Sequence, residues 1–419
     1  MAEENTAANG RPTILQIVPQ LDTGGAELSA VEIATAVVRA GGRALVLAEP
    51  GRLARRVTDG GGELVPFPAA SKNPLQLLTN ARAIIRIVRE ERVDLIHARS
   101  RAPAWSALAA ARRTNLPFVT TYHGAYGETN AVKRLYNGVM ARGDITIANS
   151  AYTANLIAAR YGTPRERIAV VHRGIDPEFF DPARIPSERV AELRARWSID
   201  EGTRIVLHMA RLTGWKGQAV LIDAASRLAA AGKLGDTVVV LAGDAQGRDA
   251  YAAGLRHQAL RAGLQHKVRL VGHVEDVPTA FRAAHVAVVA STEPEAFGRA
   301  AIEAAAMGCP VIATAVGAPP ETILAEPATP ADRITGWLVP PGDAPALAER
   351  LAAALSLTPA DRLTLAERAR AHVLAHFTVA AMQQRTLAVY DRLLGSVLER
   401  RLLDAFTTHR QSDMHLRQP

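Results

Sequence analysis

Short runs of β-branched and aliphatic residues alternate with helix-patterned stretches along almost the whole chain, and this rhythm restricts the available folds more than any other feature. The expected strands of a first series are Ile14 to Val18, Ala44 to Ala48, Leu64 to Phe67, Val93 to His97, Phe118 to Thr121, Ile145 to Ala148 and Ile168 to Val171. Between them, stretches such as Glu27 to Ala40 carry Leu28, Val31 and Val38 at helical spacing and stop at Gly41-Gly42. Strand and helix in regular alternation predict an α/β fold with parallel sheets. A second series begins at Ile205 to Met209 and continues through Val238 to Ala242, Val268 to Val271, Val286 to Val289 and Val311 to Ala313. Proline and charge cluster between the series, at Asp176-Pro177, Asp181-Pro182 and Ile185-Pro186. The expected division is a first domain over residues 1–185 and a second over 186–384, a closing helix over about 385–406 and an unstructured tail over 407–419.

A chain of 419 residues exceeds one ordinary core, which agrees with two domains. Two such open sheets are expected to line a cleft between domains with the loops that leave their strands. No apolar run is long enough to span a bilayer, and Met1 to Gly10 is polar and acidic where an export signal is basic and then apolar. Cys309 is the single cysteine, which excludes an internal disulfide and a cysteine metal cluster. A cytoplasmic location follows as the expectation, with Cys309 a small buried residue. The net charge is +8, and residues 1–190 hold 24 Lys/Arg against 18 Asp/Glu, so +6 of it lies in the first half. That excess raises nucleic acid or an anionic membrane surface as partners. Aromatic residues are only 5% and form no basic-aromatic platform, which argues against nucleic acid.

Glu295-Ala296-Phe297-Gly298-Arg299-Ala300-Ala301-Ile302-Glu303 sets two carboxylates on either side of an expected helix start, followed by the stop Met307-Gly308-Cys309-Pro310. The alanine-rich run is helical by propensity, and Gly298 permits close backbone approach of a ligand where it begins. Free amides and about half a positive charge at a helix N-terminus suit a diphosphate. Carboxylates on both sides suit the ribose and hexose hydroxyls of a nucleotide sugar. Arg211 and Lys216 frame the loop Met209-Ala210-Arg211-Leu212-Thr213-Gly214-Trp215-Lys216-Gly217 as it leaves a strand, where a guanidinium fork and a point charge can meet phosphates. Gly24 and Gly25 open a helix after the first strand, and Gly243 and His273 follow later strands as walls for a nucleoside. No G-x-G-x-x-G follows the first strand, which disfavours a dehydrogenase.

Taken in order, Arg211-Leu212 with Lys216-Gly217, Ala242-Gly243-Asp244, Gly272-His273-Val274, Glu295 to Glu303, Met307 to Val311 and Gly336-Trp337-Leu338-Val339-Pro340 resemble the retaining glycosyltransferase family 4. Gly24-Gly25, Thr121-Tyr122-His123-Gly124, Asn149-Ser150 and Gly174-Ile175-Asp176 extend the resemblance over nearly the whole chain. It implies the GT-B fold, two facing Rossmann-like domains with a last helix that crosses back to the first. It further implies that Arg211 and Lys216 bind the diphosphate of a UDP- or GDP-type donor, that Glu303 holds the ribose, and that Glu295 meets the transferred sugar. His123 is then an orienting or charge-stabilising group beside sugar and acceptor, and no cofactor or metal is needed. Phe297, Gly298 and Arg299 fall within the donor-side segment.

Three arginines depart from the common pattern. Arg99 and Arg101 follow a first-domain strand, and Arg173 stands where many relatives have Asn, so an anionic acceptor is expected at this side. The helix expected over Pro74 to Glu91 carries Arg82, Arg86 and Arg89 on one face and Leu78, Ala81, Ile85 and Val88 on another, which permits an outward basic face against lipid headgroups at the inner membrane. The local sequence looks most like bacterial transferases of lipopolysaccharide core assembly, with an anionic glycolipid or oligosaccharide acceptor. A nucleotide-sugar epimerase of the same fold is the principal alternative, followed by a basic nucleic-acid binder.

Overall fold

A computed structural model of the chain describes residues 11–22 and 24–415, with side chains as far as Thr408. The N-terminal segment Met1 to Gly10, Thr23 of the first glycine turn, and residues 416–419 of the expected tail lie outside the described residues. The chain divides into two compact units, Met1–Arg173 with Val379–Pro419, and Gly174–Thr378. These junctions fall earlier than the expected 185 and 385, for a reason of packing. Ile175 and Phe180 are buried in the second unit with Leu193, Trp197 and Phe377, and the Ile175 amide donates to the Phe377 carbonyl at 2.9 Å. Proline marks a turn but does not say which core takes the apolar residues around it.

The first unit is a parallel sheet of β1 (Thr13–Gln20), β2 (Arg43–Glu49), β3 (Glu63–Pro66), β4 (Leu95–Ala98), β5 (Phe118–Tyr122), β6 (Ile145–Ala148) and β7 (Ile168–Val170). Their order is β3-β2-β1-β4-β5-β6-β7. Ile14 to Val18 are all buried, as a central strand covered by helices on both faces requires, so the run reads as continuous rather than alternating. On one face, Val31, Ile33 and Val37 of the helix Gly25–Arg39 share a core with Met382, Leu387 and Tyr390 of the helix Val379–Leu394 and with Leu398 and Leu402 beyond it. The chain end is thereby part of the first unit. The Asp391 carboxylate turns the corner by accepting from the amides of Leu398 and Glu399, both at 2.8 Å. The last helix runs Leu398–His415, through residues read from the sequence as an unstructured tail.

The helix Pro74–Glu90 buries Asn80, Ala81, Ile84 and Val88 and exposes Arg82, Arg86 and Arg89. Leu78, expected on the buried face, is 62% exposed, and Leu75 is 73% exposed. A helix turns about 100° per residue, so a face centred on Ala81, Ile84 and Val88 leaves Leu78 beside it rather than under it.

The second unit is a parallel sheet of β8 (Arg204–Met209), β9 (Thr237–Ala242), β10 (Val268–Gly272), β11 (Val286–Val289), β12 (Val311–Thr314) and β13 (Trp337–Val339), ordered β10-β9-β8-β11-β12-β13. In both sheets the strand order reverses once, between β1 and β4 and between β8 and β11. At such a point neighbouring loops leave toward opposite sides and open a crevice at the strand carboxyl ends.

Candidate active site

The reversal in the second unit brings together the loops read from the sequence as donor-binding. After β8 the chain passes Arg211, forms a short turn over Gly214–Lys216 and enters the helix Gln218–Ala230 through Gly217. Gly217 has φ +77, and a Cβ there would lie 1.8 Å from the Ala290 carbonyl oxygen, so only glycine lets the β8 loop lie against the β11 loop. After β11 the chain reaches Glu295, and Gly298 at φ +80 opens the helix Arg299–Ala306. Glu295 is pinned by its backbone to the loop after β12, where the Ala318 amide donates to its carbonyl at 2.9 Å. Gly317 permits this approach, since a Cβ there would lie 2.2 Å from the Glu295 carbonyl oxygen.

These contacts fix the side chains. Lys216 Nζ forms an ion pair with Glu295 Oε1, and Ser291 Oγ donates to the same carboxylate oxygen at 2.5 Å. The lysine and glutamate side chains are 17% and 9% exposed, so most water is excluded from the pair. The ammonium also lies 4.2 Å from the Trp215 ring centroid, a cation–π contact. His208 lies beneath, its Nε2 2.8 Å from the Lys216 carbonyl, and burial pushes its pKa down to about 4. One helical turn beyond Gly298, Arg299 Nε donates to Glu303 Oε1 at 3.0 Å. Arg211, Gly243 and His273 follow β8, β9 and β10, with Arg211 and His273 exposed and Gly243 partly so. Phe297 differs from expectation: it is 3% exposed, with its ring in the core 6.0 Å from that of Phe377. Its ring therefore anchors the loop and offers no face to a ligand.

In the first unit, Arg173 Nη1 donates to the Gly25 carbonyl at 2.5 Å, which ties the end of the unit to the glycine turn after β1, beside Gly24. Arg173 Nη2 lies 2.5 Å from His123 Nδ1, just past β5. A guanidinium can only donate, so Nδ1 accepts and a neutral imidazole carries its proton on Nε2. Burial first, then the Arg173 and Arg99 charges, hold the His123 pKa well below its ordinary value. His123 is thus a neutral ring with a defined tautomer, and its enclosed Nε2 has no partner among the described residues. Ser29, Arg99, Thr121 and Asn149 complete a small hollow around it.

Arg99 corrects the sequence reading most clearly. It is 3% exposed, and its Nε donates to Gln16 Oε1 at 2.7 Å, inside the sheet rather than toward an incoming acceptor. Beside it, His97 bridges Tyr390 Oη at 2.6 Å through Nδ1 and Thr121 Oγ1 at 2.7 Å through Nε2, tying the helix Val379–Leu394 to β5, the strand just before His123. Arg101 donates to Asn137 Oδ1 at 2.7 Å and lies 4.1 Å over the Tyr126 ring, in a partly exposed aromatic clasp. Sequence reasoning missed His97, Tyr390, Ser291 and Gly317. Only Ser291, four residues before Glu295, had a local signal.

Among the described residues no group of His, Cys, Asp and Glu is placed to hold a metal ion, and no helix is long and apolar enough to cross a membrane. A glycine-opened helix at the reversal of a parallel sheet, here beside a lysine–glutamate pair, is a feature of α/β folds that bind phosphorylated ligands.

Comparison with known proteins agrees with this class and narrows it. Residues 23–179 match the model of Glycosyltransferase Family 4, and residues 190–372 match that of Glycosyl transferases group 1. The crystal structure of a glycosyltransferase from Rickettsia africae ESF-5 is 32% identical, covers 92% of this chain and 99% of that one, and superposes with a TM-score of 0.82. Anabaena Alr3699/HepE, solved in complex with UDP-glucose, is 25% identical over 91% of this chain and 100% of that one, with a TM-score of 0.77. D-inositol 3-phosphate glycosyltransferase of Mycobacterium tuberculosis H37Rv is 28% identical over 385 residues, 87% of this chain and 75% of that protein. The chain belongs to the GT-B glycosyltransferases of the family 4 and group 1 lineage. It is a nucleotide-sugar-dependent glycosyltransferase.

Proposed function

We propose that the protein is a retaining hexosyltransferase that uses a UDP-hexose and delivers the sugar to a phosphate-bearing, membrane-borne acceptor in cell-envelope glycan synthesis. The observation that carries this reading is the pairing of Lys216 with Glu295 at the β8–β11 reversal. A diphosphate arriving there meets Arg211, Lys216 and the free amides after Gly298, which supply the positive potential that stabilises a departing diphosphate. As the phosphate draws on Lys216, the Glu295 carboxylate turns to the hexose hydroxyls, and Glu303 takes the ribose hydroxyls. The relative solved with UDP-glucose supports uracil as the base.

In the transfer, the acceptor oxygen bonds to the anomeric carbon on the face from which the diphosphate leaves, the sugar–phosphate bond breaks, and the acceptor proton passes to the leaving phosphate oxygen. The protein contributes position and charge stabilisation rather than a nucleophile. His123, neutral with its proton on Nε2, acts as a hydrogen-bond donor to a sugar hydroxyl and not as a base. Arg173, which fixes that tautomer, and the partly exposed Arg101 are the acceptor-side cations; Arg99 supports them from within. The relative that acts on D-inositol 3-phosphate supports an anionic acceptor. Leu75 and Leu78, exposed on the same helix as Arg82, Arg86 and Arg89, support peripheral attachment to an anionic bilayer.

The test is a panel of UDP-, GDP- and ADP-hexoses read by thermal unfolding, followed by product analysis with and without a phosphorylated glycan acceptor. Stabilisation by a UDP-hexose, with product formed only when acceptor is present, is the expected result. An altered nucleotide sugar released without acceptor would assign the chain to the epimerases instead.

A further inference from the structure

The second unit carries a cavity of about 400 Å³ that is distinct from the candidate active site. Its walls include Ala284 and Cys309, which lie just before β11 and β12. It therefore opens at the amino ends of the parallel strands, whereas Lys216 and Glu295 follow the carboxyl ends. Phe281, Met307, Pro359, Leu363 and Ala366 make its apolar surface. Leu363 is 59% exposed at the mouth.

The charge around this surface is unbalanced. Arg282 is exposed and forms no hydrogen bond or ion pair among the described residues. Arg362 donates to the carbonyls of Ala284, at 3.0 Å, and His285, which are neutral acceptors. Burial holds its pKa below the ordinary value, with Cys309 opposing that shift and the Arg282 charge adding to it. Arg370 is the exception, since Asp181 answers it at 3.3 Å. Glu367, exposed at the rim, is the one carboxylate in the lining.

We infer that this cavity is a second ligand site, which takes a small amphiphilic anion with its apolar body against Phe281, Met307 and Ala366 and its negative head between Arg282 and Arg362. An anion there answers the unpaired Arg282 and gains charge-assisted hydrogen bonds, while the apolar body covers surface otherwise left to water. A cation of the same length meets the arginines unfavourably, and a neutral alcohol leaves them unanswered. The inference stands apart from the proposed transfer reaction, because binding here is read without turnover.

Octanoate is the probe, with octylammonium and octanol as controls of equal length, on the full chain. Binding is followed by saturation-transfer NMR and placed by substituting two residues of the cavity wall, Arg282 and Ala366. Octanoate is expected to give a saturation-transfer signal that saturating UDP does not compete away. Arg282→Glu, at an exposed position, and Ala366→Trp, which fills the cavity, should each abolish the octanoate signal while leaving thermal unfolding and UDP binding near wild type. No signal from octanoate, an equal signal from octylammonium or octanol, or a signal that survives both substitutions would overturn the assignment.

Discussion

Separating Lys216 from Glu295 should divide substrate binding from turnover. In Glu295→Gln the amide still accepts from Ser291, but Lys216 loses its carboxylate in a site where the two side chains are 17% and 9% exposed. Breaking a fully buried pair costs about 3–5 kcal/mol, and the residual exposure with the Trp215 contact brings the expected loss to about 2 kcal/mol. For a unit of this size that lowers the melting temperature by about 4–8 °C. UDP should then stabilise Glu295→Gln at least as strongly as wild type, because the freed ammonium is available to phosphate. Transfer should fall by about 100-fold, the usual effect of removing one group that acts on developing charge. Lys216→Met should show the reverse emphasis, with UDP bound about 10–100-fold more weakly for the loss of one charge-assisted contact. The assays are differential scanning fluorimetry with a UDP titration and UDP-release kinetics. Wild-type transfer by Glu295→Gln, or undiminished UDP stabilisation of Lys216→Met, would refute the reasoning.

Gly317→Ala must push a methyl toward the Glu295 carbonyl at a φ of +84, so it should cost more than about 2 kcal/mol by urea unfolding and abolish transfer. Tyr390→Phe leaves His97 Nδ1 buried without its 2.6 Å partner, a cost of about 1–3 kcal/mol that should appear as earlier thermal unfolding of the first unit. His208 is held at about 4 against an unfolded value near 6.5, so it costs the folded state nothing above pH 6.5 and progressively more as pH falls toward 4. His208→Gln should therefore lose about 3 kcal/mol less than wild type between those pH values in urea midpoints; parallel curves would show that this group does not drive the acid slope. Excess EDTA should leave transfer essentially unchanged, as UDP release at matched ionic strength will show; a loss restored by magnesium or manganese would contradict the role given to Arg211, Lys216 and the helix start.

The sheets were legible because twelve of the thirteen strands among the described residues fall on short β-branched or aliphatic runs, a pattern that local sequence carries. β13 escaped because three residues, Trp337–Val339, give no periodicity. The glycines of the donor loops were also legible as turn positions, but their reason was not: Gly217 and Gly317 answer to carbonyls at Ala290 and Glu295, far away in sequence. The same distance hid the central pair, since Lys216 and Glu295 are 79 residues apart and meet only when β8 and β11 become neighbours. Arg99 was misread because a loop after a strand is usually wet. Here Gln16 on the adjoining strand supplies an acceptor that draws the guanidinium inward. Phe297 was misread for a related cause: alternate residues of a ligand loop point into the core that supports it.

The most direct test of the account is calorimetric titration of a UDP-hexose into the wild-type protein and into Glu303→Ala. The account predicts saturable binding of one nucleotide sugar per chain, weakened about tenfold or more when the ribose contact is removed, since a charge-assisted hydrogen bond is worth about 1.5–3 kcal/mol. Equal affinity of the two proteins, or no binding by wild type to any nucleotide hexose, would contradict it.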